Sequence, residues 1–130
     1  MEGKEGYKKL VVWRNSKTLR AMVYQITASF PKSELRRVSQ MRDAARSVKQ
    51  NIQEGYQRHS LAEYIRGLDI SKASLAELQG DIEDCREDGV VTEQVFTEAF
   101  DLCKRTDYLF MRLLQSLRQK SRDAKGRSHR

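Results

Sequence analysis

Few residues in this sequence are of a type and spacing that could do covalent chemistry. There are two histidines. His59 falls in a link between helical segments, His129 lies next to the C-terminus, and neither is set with a cysteine at zinc-ligand spacing. Cys85 and Cys103 sit on helical segments at different distances from the turn between them. Their Cα atoms are therefore not expected within the roughly 7 Å that a disulfide requires, and small buried thiols are the expectation. No helix carries the Glu-x-x-His pattern of di-iron bundles, and no glycine-rich loop could cradle a phosphate. The expectation is a protein that is not an enzyme and uses no cofactor or metal ion.

Charge is what the spacing does organise. Arg42, Arg46, Lys49 and Gln53 recur at i, i+4, i+7 and i+11, which at about 100° per residue gathers them on one strip of a helix beside its apolar stripe. Glu77, Asp81, Asp84 and Asp88 repeat the same spacing. Four carboxylates in line could approach a divalent cation, but nothing supplies the convergence such an ion needs, and the strip reads as a solvated or subunit-facing surface. A third polar set, Gln40, Asp43, Ser47, Asn51 and Glu54, points away from the core. Ser and Asn are mediocre helix formers that gain little from exposure in mid-helix, so this set is expected at an oligomer interface.

The net charge of +7 is unevenly spread. Residues 1–74 carry 15 Lys/Arg against 7 Asp/Glu, residues 75–117 carry 4 against 10, and residues 118–130 carry 6 against 1. Such blocks suit attraction of a polyanion and complementary contacts between subunits. Arg42, Arg46, Lys49 and Arg58, with Arg118, Lys120, Arg122, Lys125 and Arg127 of the tail, are the candidate nucleic-acid-binding residues, acting through counterion release. Tyr56, beside Arg58 and His59, is expected to be the most base-accessible aromatic. Trp13, Tyr7, Tyr24, Tyr64 and Tyr108 are expected in core or interface packing.

These side chains need helices to hold them, and the sequence supplies four amphipathic segments. The first spans about 12–29, with Leu19, Met22, Val23, Ile26 and Phe30 at helical spacing. Pro31 ends it, because the residue before a proline is pushed out of αR, and Ser33 is placed to cap the next helix. The second, about 34–55, carries Leu35, Val38, Met41, Ala45, Val48 and Ile52, with Gly55 as its stop. Ser60 and Glu63 form a capping box for the third. That helix runs about 60–88 with Leu61, Ile65, Leu68, Leu75, Leu78, Ile82 and Cys85 on one stripe. Gly67, Ser71 and Ser74 make a strip of small residues where another backbone could come close. Gly89 closes it, and Thr92 caps a fourth helix, about 92–117, with Phe96, Ala99, Leu102, Phe110, Leu113 and Leu117 inward.

From Arg118 the apolar periodicity stops, and residues 118–130 are expected as a basic, disordered tail. Short connections between long helices make neighbours antiparallel. The fold expected is all-α, a single antiparallel up-down four-helix bundle over residues 1–117. No apolar run approaches the roughly 20 residues of a membrane span, and the charged start, MEGKEGYKKL, does not read as a secretory signal. A cytoplasmic protein without membrane contact is expected.

Several spaced blocks resemble one known family. Leu10-x-Val12-Trp13 and Phe30-Pro31-x-x-Glu34 resemble the start of a small bacterial family of four-helix bundles. Its founding members are encoded by intervening sequences in large-subunit ribosomal RNA genes. The stretch SQMRDAARSVKQNIQEG (39–55) is similar to the family's most distinctive block, through Ser39, Gln40, Arg42, Ala44, Ala45, Ser47, Val48, Asn51, Ile52, Glu54 and Gly55. The stretch from Ser60 to Glu83 continues it, through Glu63, Leu68, Ile70, Ala73, Ser74, Leu75, Glu77 and Leu78, and Gly89 fits as well. Two positions depart from the pattern: Gln53 stands where a small residue is usual, and Lys49 where an apolar or small one is common.

The resemblance implies an up-down bundle that assembles as a ring, often a pentamer, without catalysis. A more distant group of the same architecture, the accessory variability proteins of diversity-generating retroelements, comprises basic pentamers that bind nucleic acid and a reverse transcriptase. The leading expectation is a homo-oligomer, a pentamer, that binds RNA or DNA through basic surfaces. The alternative is a protein–protein adaptor, for example an accessory to a reverse transcriptase.

Overall fold

The computed structural model describes residues 5–128. Four helices account for most of them: α1 (Val11–Thr27), α2 (Leu35–Gln57), α3 (Leu61–Glu87) and α4 (Glu93–Ser128). Short 3-10 turns at Gly6–Lys9 and Lys32–Glu34 lead into α1 and α2. Among the described residues there is no strand.

Partner residues across the seams fix the direction of each helix pair. Arg37 meets Asp88, Met41 meets Cys85 and Ser47 meets Ser74, so α2 and α3 run antiparallel. Trp13 meets Gln53 while Thr27 meets Arg42, which makes α1 antiparallel to α2. Arg86 with Glu93 and Lys72 with Asp107 do the same for α3 and α4. Each helix packs on its two neighbours, α1 also closing on α4, and among the described residues the backbones of diagonal pairs stay more than 8 Å apart. That is the up-down bundle the punctuation predicts.

The core is built from the predicted stripes. Leu19, Val23, Met41, Val48, Ile52, Leu68, Leu75, Leu78, Cys103 and Phe110 are shut away from solvent. Of the four buried Ser and Thr side chains, three return a hydrogen bond to their own helix, while Ser71 Oγ has no partner. Ser16, Thr27 and Thr106 donate to the carbonyls of Val12, Val23 and Leu102, at 2.5, 2.7 and 2.7 Å, so burying them leaves no donor unpaired. The helix ends also follow the sequence at two places. Ser60 Oγ accepts the Glu63 N–H at 3.3 Å and Thr92 Oγ1 that of Val95 at 3.2 Å. Gly89, at φ 71°, lets the Val90 N–H reach back to the Cys85 carbonyl.

Other expectations are corrected. Ser33 does not cap α2; it lies in the 3-10 turn, and Glu34 precedes α2 without a side-chain cap. Leu35, placed on the core stripe, is 72% exposed. Gly55 does not stop α2, which continues to Gln57 and ends with His59 in the left-handed region at φ 59°. Gly55 is instead buried within the helix, facing Gly67.

The irregular tail is likewise replaced by helix, since α4 runs on to Ser128. Residues 118–125 are mostly good helix formers with no proline. Gln119 donates to Asp123 at 3.0 Å and Arg122 to Gln119 at 2.6 Å, the i, i+3 and i, i+4 pairs that support an exposed helix. Apolar periodicity ends at Leu117 because that is where the core ends; the helix itself continues. His129 and Arg130 lie outside the described residues, as does the Arg127 side chain. Among the described residues no helix is long and apolar enough to cross a membrane.

Candidate nucleic-acid interface

The α1–α2 seam gathers cations from both helices. Arg42, Arg46 and Lys49 come from α2, as the spacing predicts, and Lys17 and Arg20 join them from α1. Lys49 shows the convergence: its ammonium is held below the ordinary lysine value by desolvation, then by the positive charges of Arg20, Lys17 and Arg46. Among the described residues none of these five has a carboxylate within 4 Å. Elsewhere the bundle does pair its charges, for example Arg37 with Glu34 and Asp88 at 2.7 and 2.6 Å.

Aromatic rings hold four of the five in place. Lys17 and Lys49 both lie over Trp13, at 5.6 and 5.7 Å from the ring centre. Arg20 and Arg42 both lie over Tyr24, at 4.6 and 4.5 Å. Trp13 is itself fixed by its indole N–H, which donates to Gln53 Oε1 at 2.9 Å. The two departures from the family pattern, Lys49 and Gln53, thus both touch Trp13. Arg42 is fixed again by its Nε donating to Thr27 Oγ1 at 3.0 Å. Cations stacked on rings lose less freedom on meeting an anion than free side chains do.

Lys17 and Arg20 went unassigned in the sequence although a signal was there. Trp13, Lys17, Arg20 and Tyr24 step by i, i+4, i+7 and i+11, the same spacing as the α2 stripe. Two such stripes on antiparallel helices interlock, but which face of α1 turns towards α2 is decided by packing.

The remaining predicted cations are placed elsewhere. Arg58 follows α2 at its C-terminal end and, with Arg66, Glu54 and Glu63, borders a cavity of about 370 Å³. Arg118 is tied to Asp69 of α3 at 2.5 Å. Lys120, Arg122 and Lys125 ride on the last turns of α4, away from the α1–α2 seam. Tyr56 is not the open aromatic it was expected to be: it packs edge-on between Tyr7 and Tyr64, at 6.3 and 5.5 Å. Within the cation cluster the exposed ring is Tyr24, at 37%, whereas Trp13 is at 7%.

Four of the five polar residues expected at an oligomer interface, Gln40, Ser47, Asn51 and Glu54, line the α2–α3 seam. Ser47 Oγ and Ser74 Oγ share a hydrogen bond of 2.7 Å, and Asn51 Nδ2 donates to the Ser47 carbonyl and hydroxyl at 2.9 and 3.0 Å. These two residues therefore have a reason for their place that needs no second subunit. Glu54 accepts from Gln50, Asp43 is exposed, and Gln40 borders a cavity of about 320 Å³ shared with Asp81, Asp84 and Asp88. Among the described residues no group of His, Cys, Asp and Glu is close enough to hold a metal ion. Both cysteines are free and buried; burial pushes the Cys103 thiol up to about 12 and raises Cys85 as well, the wrong direction for a nucleophile.

Asp81 has a buried Oδ2 with no hydrogen-bond partner. Burial, then Glu77 and Asp84, hold its carboxyl above the usual range, against an opposing pull from Arg37. The folded chain therefore takes up this proton more readily than the unfolded chain. Stability falls as pH rises from 3.8 through the raised folded value, and the penalty is fully present above it. Asp81→Asn is expected to raise the melting temperature at neutral pH, with the gain narrowing towards pH ~4. Thermal melts at the two pH values check this, and an equal gain at both would exclude the titration as its cause.

With the bundle and its cationic face established, the class of protein is a helical bundle with a charged outer surface. The chain belongs to the 23S rRNA-intervening sequence protein family, whose sequence pattern matches residues 8–112. The matched region covers nearly all of the bundle and stops before the last turns of α4. No curated protein matches the chain significantly.

Proposed function

We propose that the protein is a non-catalytic, cytoplasmic, self-associating bundle that binds the backbone of RNA or DNA through its α1–α2 face. One observation carries this reading: Lys17, Arg20, Arg42, Arg46 and Lys49 converge without a carboxylate to neutralise them. Gathering like charges costs stability, and a polyanion that replaces its own counterions with them recovers it. The ring contacts keep the charges presented to solvent, where a phosphate chain can reach them. Arg58 and the cations at the end of α4 extend the field without being its centre. The homopentamer expected from the family resemblance would repeat this face around a ring, which multiplies weak contacts on one long strand.

Binding to a long RNA, followed by fluorescence anisotropy, is expected to be detectable at about 50 mM salt and to weaken roughly 100-fold by about 200 mM, the slope for about five phosphate contacts. Little sequence preference is expected. No measurable affinity at the lower salt would end the proposal. Light scattering tests the assembly, with five times the chain mass as the expected value.

The α3 carboxylates favour a second reading, a protein adaptor. Glu77, Asp81, Asp84 and Asp88 form an acidic strip, a surface that a basic protein client such as a reverse transcriptase would fit. Recovery of one protein partner from nuclease-treated extract, together with absent RNA binding, would favour it.

A further inference from the structure

The two ends of the cationic seam are built differently. At one end Lys17 and Lys49 cover a buried tryptophan, so only ammonium groups face outward. At the other end Arg20 and Arg42 lie against Tyr24, a residue more than a third exposed. Lysine offers a point charge, whereas a guanidinium offers N–H edges to a phosphate and a flat face to a base. Arg42 is preorganised for this, since its Nε is held by Thr27 and its plane is backed by the ring. Two guanidiniums are thus gathered on one partly exposed tyrosine, and neither has a carboxylate partner.

We infer that Arg20, Tyr24 and Arg42 form a station for an unpaired nucleotide, so that the α1–α2 face selects single strands over duplexes. This rests on the nucleic-acid reading above and adds the form of the nucleic acid. The phosphate takes the outward N–H groups, and the base stacks on the exposed part of the tyrosine–arginine stack. A duplex offers the same phosphates but keeps its base faces inside, so it gains only the electrostatic share of the binding. Stacking tolerates any base, which agrees with weak sequence preference.

The test compares an oligouridine strand of about 20 nucleotides with an RNA duplex of about 20 base pairs, read by anisotropy at one low salt concentration. The wild-type protein is expected to bind the strand about tenfold more tightly than the duplex, allowing for the duplex's higher charge density. Tyr24→Leu is expected to bring that ratio close to one, and Tyr24→Phe to restore it. Tyr108→Leu, which removes an exposed ring from α4, is expected to leave it unchanged. Equal affinities in the wild type overturn the inference without the need of any variant, and so does a ratio that Tyr24→Leu does not move. Either result leaves the proposed function standing. Absence of binding to both probes overturns the proposed function, and the inference with it.

Discussion

Reversing two exposed cations of the α1–α2 face, Lys17→Glu with Arg46→Glu, is expected to weaken RNA binding about 100-fold at about 50 mM salt. Both side chains are solvent-facing, so the bundle should keep its helicity and melting temperature while losing the field. The reason is the density of charge rather than any single contact. Five neighbouring cations become three cations and two carboxylates, and the new carboxylates lie within reach of the remaining Arg20, Arg42 and Lys49. Fewer counterions are then released on binding, so the slope of log affinity against log salt should fall by about 2. The comparison variant is Lys120→Glu with Arg122→Glu on α4. It makes the same change in net charge and is expected to weaken binding only about threefold, because those side chains stand apart from the seam. Equal losses from both pairs would show that net charge, not the seam, does the binding.

Gly67→Ala is the second large effect expected, and it concerns the scaffold. A Cβ there would lie 2.5 Å from the Asn51 carbonyl oxygen and 2.9 Å from the Gly55 Cα. Both are backbone atoms, so no side chain can rotate away and α2 and α3 must separate. The usual helix gain of alanine over glycine, up to about 1 kcal/mol, is outweighed, and a net loss of about 2 kcal/mol is expected. Separation would also strain the Ser47–Ser74 hydrogen bond and the Asn51 contacts. Gly80 lies on the same helix with nothing within 4 Å of such a Cβ. Gly80→Ala is therefore expected to stabilise by about 0.5–1 kcal/mol. Thermal or urea melts of the two variants should move in opposite directions. A stabilised Gly67→Ala would mean that the helices do not approach so closely.

These two cases show what could be read from the sequence and what could not. The four helices were legible because Pro31, Ser60, Gly89 and Thr92 punctuate stripes of strict helical spacing. The small-residue strip at Gly67, Ser71 and Ser74 was legible too, since only small side chains permit the approach now seen at Gly55. The identity of that partner was not, because Gly55 lies near the end of a helix and glycine there resembles a stop. Arg42, Arg46 and Lys49 could be grouped by spacing within one helix. Adding Lys17 and Arg20 needed the packing angle between helices, which no single-helix pattern contains. Ser47 looked outward-facing because its partner Ser74 depends on the α2–α3 distance, whereas Asn51 bonds back to Ser47 within its own helix. The tail misled for a different reason: loss of apolar periodicity marks the end of a core, and α4 outlasts its core.

The most direct test of the α1–α2 face is a lysine acetylation footprint with and without saturating RNA. The lowered proton affinity of Lys49 leaves more of it as the reactive neutral amine, so it should label readily in the free protein. Lys17 and Lys49 are expected to be protected by RNA, while Lys120 and Lys125 on α4 label much as before. Protection confined to Lys120 and Lys125, with Lys17 and Lys49 unchanged, would contradict the account and move the nucleic-acid site to the end of α4.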